Sequence, residues 1–186
     1  MKNRKNDTNL TEAQIIVLAK KDKTYFGKLY EDNFGKIFSF IYKRLGGAEA
    51  LAGDITQQTF IKAMANIYKY EDRGNPFSSW LYRIAQNEVN EYYRRKKRKH
   101  EVPVDEGRIQ DLSKELNVSS YMSIEEQEKL IEMINELEQV KQDLIELRFF
   151  EGMSFKEIAA IYNITEANAK MRTYRILEGI RKKWEN

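Results

Sequence analysis

Apolar positions recur at threes and fours along most of the chain, and no stretch alternates with the period of two that a half-buried strand requires. The pattern predicts an all-α protein. Thr11 followed by Gln14 is a capping-box start for a helix reaching about Lys21. Phe26, Leu29, Tyr30, Phe34, Ile37, Ile41 and Leu45 write a second helix. Gly46 and Gly47 stop it, since glycine accepts the left-handed conformation at a helix end. A third helix is expected from about Asp54 to Tyr68, with Phe60, Met64 and Ile67 inward. After the glycine and proline of the loop 70–77, Ser78 or Ser79 caps a fourth, whose Leu81, Ile84, Ala85 and Val89 share one core with the second helix.

From about 101 to 122 the periodicity fades and polar residues dominate, over a length unusual for a loop inside one domain. This segment is expected to be a linker. Order resumes where Ser123 and Glu126 form a second capping box, ahead of Leu130, Ile131, Ile134 and Leu137. Further helices are expected at about 140–150, 155–162 and 166–183. The predicted organisation is two small helical domains, 1–100 and 123–186, joined by a linker, 101–122.

The last two helices have the plan of a helix-turn-helix. Ser154 caps a short helix with Ile158, Ala159 and Ile161 inward, and Asn163 sits at the turn, where asparagine tolerates a positive φ. Ile164 plugs the core and Thr165 caps the next helix, with Ala169, Thr173, Ile176, Ile180 and Trp184 as its inward stripe. Glu166, Ala167, Lys170, Met171, Tyr174 and Arg175 lie outward. A helix presented this way can enter the major groove of duplex DNA. A plain helical hairpin with a basic solvated face is the alternative.

Composition changes this picture in three ways. The 186 residues suffice for one domain or two small ones, and 41% of them are hydrophobic, enough to bury a core. The net charge of +3 hides segregation: 94–99 is a run of six cations, while 101–138 is rich in Asp and Glu. Such asymmetry suggests a polyanionic partner at one place and a different partner elsewhere. The chain has no cysteine, and its one histidine is His100. Disulfides and thiolate metal sites are excluded, zinc centres and His-based triads are disfavoured, and no cofactor is expected. The polar N-terminus lacks the apolar core of a signal peptide, and no apolar run approaches the roughly 20 residues of a membrane span. A cytoplasmic protein without membrane insertion is expected.

The fourth helix has a second face. Trp80, Arg83, Asn87, Asn90 and Arg94 recur at threes and fours. Amides and guanidinium groups read base edges, aromatic rings accept unstacked bases, and the cations that follow suit phosphates. The bland alternative makes Trp80 a core anchor and 94–99 a solvated helix end favoured by the helix dipole. The third helix likewise carries an outward stripe of Asp54, Gln57, Gln58, Ile61 and Ala65, where an exposed isoleucine among polar residues suits an interface core.

At these residues the chain resembles the small bacterial sigma factors of the extracytoplasmic-function (ECF) class, over nearly its whole length. "DITQQTFIKAM" (54–64) is similar to the family's polymerase-binding helix, and "FSSWLYRIAQNEVNEYYRRKKRK" (77–99) to its promoter-melting and minus-ten-reading helix. "LIELRFFEGMSFKEIAAIYNITEANAKMRTYRILEGIRKKW" (144–184) is similar to its minus-thirty-five-reading domain. The resemblance implies a factor, not an enzyme, that binds core RNA polymerase and recognises and opens promoter DNA. Asp54, Gln57, Gln58, Ile61 and Ala65 would then meet polymerase. Tyr70, Trp80, Arg83, Asn87, Asn90, Arg94, Arg95, Lys96 and Lys97 would meet the melted minus-ten strand, with Asn87 at the extruded base. Glu166, Asn168, Lys170, Met171, Arg172, Tyr174 and Arg175 would meet the duplex upstream. The linker, acidic through Asp105, Glu106, Asp111 and Glu115, would thread through polymerase channels in place of nucleic acid, or serve as a solvated tether. An anti-sigma factor is a further implied partner, though no motif marks its surface.

The chain also departs from the family pattern. Gln58 stands where an acidic residue is usual, and Asn168 and Met171 differ from the common Thr-Val-Lys-Ser-Arg opening, while Lys170 and Arg172 match it. Two other classes stay open on the residues alone. A free-standing regulator would use the helix-turn-helix as a dimer. A metal-dependent nuclease would need clustered carboxylates, which Asp54 lacks at helical spacing.

Overall fold

The computed structural model describes residues 10–72, 74–96, 106–118 and 122–185. All regular structure among them is helical. The chain divides into two compact units, Met1–Val89 and Asn90–Asn186.

The first unit holds α1 (Glu12–Lys21), α2 (Phe26–Arg44), α3 (Glu49–Asn66) and most of α4 (Phe77–Lys96). The α1 capping box forms as its sequence predicts: Thr11 Oγ1 accepts from the Gln14 N–H, and Gln14 Oε1 accepts from the Thr11 N–H at 2.9 Å. α2 closes through Gly46 and Gly47 at φ 63° and 83°, a conformation that costs a side-chain-bearing residue about 1–2 kcal/mol. α3 begins five residues before the expected Asp54. Its first turns carry a single large apolar residue, Leu51, too few to write an apolar stripe, yet the small Ala52 is fully buried against the core. Leu29, Ile37, Ile41, Phe77, Leu81, Ala85 and Val89 form that core. Ile84, expected among them, is only half-buried.

The second unit holds the last turns of α4 with α5 (Glu106–Leu116), α6 (Ile124–Asn135), α7 (Gln139–Ile145), α8 (Phe155–Tyr162) and α9 (Glu166–Trp184). A π-helical turn, Glu146–Phe150, extends α7. Leu130, Ile134, Ile145, Leu147, Ile158 and Ala169 are its fully buried centre.

α5 departs from the expected irregular linker. Ile109, Leu112 and Leu116, spaced at three and four among charged residues, are all 0% exposed. The helix packs on α9 and on the π-helical turn. Arg181 Nε donates to the Leu116 carbonyl at 2.8 Å, and Asn117 ends the helix at φ 52°. Burying three such side chains contributes about 1.5–3 kcal/mol each, enough to hold an eleven-residue helix in place. Leu112→Ala should therefore destabilise the second unit by about 2–5 kcal/mol in urea unfolding followed by circular dichroism. A change under about 0.5 kcal/mol, as at an ordinary surface position, would mean that α5 is a loose tether.

Candidate nucleic-acid and polymerase interfaces

α4 buries Phe77, Leu81, Ala85 and Val89, which turns Arg83 and Asn87 to the surface. Trp80, half-buried, lies edge-on to Tyr70 at 5.5 Å between ring centroids and tilted on Phe77 at 5.4 Å. Tyr70, expected to meet the melted minus-ten strand, does not face outward. It is 6% exposed, its carbonyl accepts from Lys20 Nζ at 2.6 Å, and burial pushes its hydroxyl pKa up. Its place is beneath Trp80, as a prop.

Trp80, Arg83, Ile84, Asn87 and Glu88 form one side of a cavity of about 300 Å³. Lys62, Asn66 and Lys69, from the end of α3 and the turn after it, form the other. Lys62 Nζ donates to both Glu88 carboxylate oxygens at 2.6 and 2.7 Å and links the two helices within the cavity's lining. An aromatic ring, an amide and several cations around a space of this size suit a single planar base with its phosphate. The α3 side was missed in the sequence, although Lys62, Asn66 and Lys69 repeat at four and three and so mark a polar stripe of their own.

Further along α4, Asn90 is half-buried and donates to Asp143 Oδ2 at 3.2 Å, within the second unit. Arg94 and Arg95 both pair with Glu91, Arg95 Nε at 2.8 Å, and Lys96 is exposed. The basic run is thus partly neutralised where it begins. Lys97, with the rest of 97–100, lies outside the described residues.

On α3, Asp54, Gln57, Gln58, Ile61 and Ala65 are all exposed, and Ile61 shows 53% of its surface. Thr59, Phe60 and Ala63 point the other way, into the core. Beside Gln57 and Ile61 opens an apolar hollow of about 380 Å³, shared with Phe26, Tyr30, Phe60 and Met64. Met64, expected inside, is half-buried and lines this hollow instead. The α2 contribution was hidden in the sequence because Phe26 and Tyr30 also read as core residues.

The helix-turn-helix forms as expected. Ser154 Oγ accepts from the Glu157 N–H while Glu157 Oε2 accepts from the Ser154 N–H at 2.8 Å. Asn163 takes φ 54°, and Thr165 Oγ1 accepts from the Asn168 N–H at 3.2 Å. Ala169, Thr173, Ile176, Leu177 and Ile180 face the core; Thr173 returns its hydroxyl to the Ala169 carbonyl at 3.0 Å. Ile164 and Trp184 are half-buried, the latter beneath the Lys129 ammonium at 4.7 Å. Glu166, Lys170, Met171, Arg172, Tyr174 and Arg175 are exposed, and Asn168 is half-buried, accepting from Arg172 Nε at 2.9 Å. Arg172 and Arg175 border an apolar groove of about 470 Å³ shared with α6 and α7, whereas Tyr174 lies on the other edge, 6.1 Å from the Phe155 ring.

Two family models match the chain: one described as Sigma-70 region 2, over residues 29–99, and one described as Sigma-70, region 4, over 127–178. The ECF RNA polymerase sigma factor BldN of Streptomyces coelicolor is 29% identical over 150 residues, 81% of this chain and 56% of that relative's own length. The ECF RNA polymerase sigma factor SigW of Bacillus subtilis is 28% identical over 181 residues, 93% of this chain and 96% of the relative. Among solved structures, CnrH in complex with the cytosolic domain of CnrY shares the fold, with a TM-score of 0.53 and 20% identity over 91% of this chain and 96% of that one. No helix among the described residues is long and apolar enough to cross a membrane.

The turn offers a direct check. A β-branched residue in the left-handed conformation is strained, so Asn163→Val should cost about 1–2 kcal/mol, while Asn163→Gly should be close to neutral. Thermal unfolding of both variants measures the difference, and equal midpoints would refute the assigned turn geometry.

Proposed function

This chain belongs to the sigma-70 family of RNA polymerase sigma factors, in the extracytoplasmic-function class, and on that premise we propose that it binds core RNA polymerase and directs initiation at specific promoters. The observation that supports this best is the succession of region 2 and region 4 in one chain, with exposed groups on α3, α4 and α9 suited to each task. The factor supplies binding energy and positioning, not a chemical step of its own. It acts in the cytoplasm, where polymerase works, and an anti-sigma factor is its expected antagonist.

In this reading the stripe of Asp54, Gln57, Gln58, Ile61 and Ala65 docks on polymerase, and the apolar hollow beside Ile61 receives partner side chains. Gel filtration with core polymerase tests the whole proposal: co-migration supports it, and a stable dimer indifferent to polymerase would favour a free-standing regulator. Ile61→Glu should weaken assembly about tenfold or more, as at the core of an interface. Because Ile61 is exposed, stability should change by less than about 0.5 kcal/mol. Assembly equal to wild type would show this surface to be wrongly assigned.

The cavity between α3 and α4 takes the base extruded from the minus-ten strand. Asn87 reads its edge, Trp80 packs beside it, and Arg83 with Lys69 and the exposed cations of α4 neutralises the backbone. Binding a base there follows melting, since a stacked and paired base is out of reach. Asn87→Ala should therefore keep closed-complex binding but lose strand opening, seen as missing permanganate reactivity of unpaired thymines. Normal opening of linear promoters by this variant would remove Asn87 from the base site.

Lys170, Met171, Tyr174 and Arg175, with Glu166, Asn168 and Arg172 around them, face the minus-thirty-five duplex. Arg175→Ala should cost about 1–3 kcal/mol on a cognate upstream element. An equal loss on a scrambled element would reduce Arg175 to a phosphate contact.

A further inference from the structure

The docked α5 brings an acidic residue to the edge of the recognition helix. Tyr174 donates its hydroxyl proton to Glu115 Oε1 at 2.8 Å, a contact between residues 59 apart in the chain. Glu115 is not carried on a loose segment. Ile109, Leu112 and Leu116 anchor its helix, and Arg181 holds the Leu116 carbonyl one residue further on. Tyr174 is itself 43% exposed, so the pair stands at the surface that α9 presents.

A phenol has one proton. While Glu115 holds it, the Tyr174 oxygen offers only lone pairs, and an ionised carboxylate has none to give either. The hydrogen bond to Glu115 also raises the hydroxyl pKa above its ordinary value, so the group keeps its proton near neutral pH. In the major groove, lone pairs find partners only in amino groups, adenine N6 or cytosine N4, whereas guanine O6 and N7 and thymine O4 are themselves acceptors. Nearby Lys170, with its ammonium 5.9 Å from the Tyr174 ring, and Arg175 are pure donors and suit guanine. Around Tyr174 the recognition helix thus sets the donors Lys170 and Arg175 beside an acceptor pair.

We propose that Glu115 is a positioning residue for promoter reading, which orients the Tyr174 hydroxyl so that the recognition helix accepts an amino-bearing base, adenine or cytosine, and disfavours guanine or thymine at the position it meets. This rests on the assignment of α9 to the minus-thirty-five element. It gives the segment between the two matched regions a part in specificity that its composition does not announce.

The test uses the full chain assembled with core polymerase and a set of promoter duplexes in which each upstream position is varied in turn. Wild type should favour adenine and cytosine at one position by about fivefold, the weight of one hydrogen bond. Tyr174→Phe should abolish that preference. Glu115→Ala should admit guanine and thymine at the same position and leave the others unchanged, because the freed hydroxyl can then donate. In the Tyr174→Phe background, Glu115→Ala should change nothing further at that position. The proposal is overturned by an unaltered base profile in Glu115→Ala, by a change spread evenly over all positions, or by a change that persists without the hydroxyl. A wild-type holoenzyme with no upstream base preference at all would instead remove the minus-thirty-five assignment of α9, and this inference with it.

Discussion

A helix that must bury one stripe has no choice about where its opposite stripe points. With 3.6 residues per turn, core packing sets the rotation of each helix about its axis and so aims every outward side chain. In α3, Ala52, Ile55, Thr59, Phe60 and Ala63 go inward, which leaves Asp54, Gln57, Gln58, Ile61 and Ala65 together on the surface. In α4 the buried Phe77, Leu81, Ala85 and Val89 put Arg83 and Asn87 beside the end of α3. In α9 the buried Ala169, Thr173, Ile176 and Ile180 hold Lys170, Met171 and Tyr174 outward. The proposed binding surfaces thus inherit their precision from the cores beneath them.

Polar residues inside those cores are accommodated locally. Thr56, Thr59 and Thr173 each return a hydroxyl to the carbonyl four residues earlier, which satisfies the buried oxygen without a tertiary partner. The Lys62–Glu88 pair works differently. Lys62 is half exposed to solvent, so the pair contributes little to stability, and its part is to place two opposite charges in the lining of the cavity that Asn87 borders. α5 follows the same logic in the second unit: three buried side chains hold the helix, and their placement delivers Glu115 to Tyr174.

Much of this was legible in the chain because strong signals coincide. Capping boxes at Thr11 and Ser123 and the cap at Ser154 mark real helix starts, and Asn163 marks the turn. The outward stripes of α3 and α9 follow directly from periodicity. What escaped has physical reasons. The first turns of α3 hold one large apolar residue, the half-buried Leu51, and their buried position is the small Ala52, which gives little apolar contrast to read. The three apolar residues of α5 are diluted by charge, and their helix is recognisable only once its docking surface exists. The family resemblance puts Tyr70 at the melted strand, yet Phe77 and Trp80 close over it, a packing that local periodicity does not record. The second wall of the cavity beside Asn87 comes from another helix, and a pairing of two helices across 26 positions leaves no trace in local periodicity.

Transcription with purified components tests the central claim most directly. Core RNA polymerase, lacking any sigma factor, is incubated with genomic DNA fragments with and without this chain, and the 5′ ends of the transcripts are mapped. The account predicts discrete start sites that appear only with the chain present and that share upstream sequences at a constant spacing, as two tethered DNA-reading units require. Transcripts that start at random, or a profile identical with and without the chain, would contradict it.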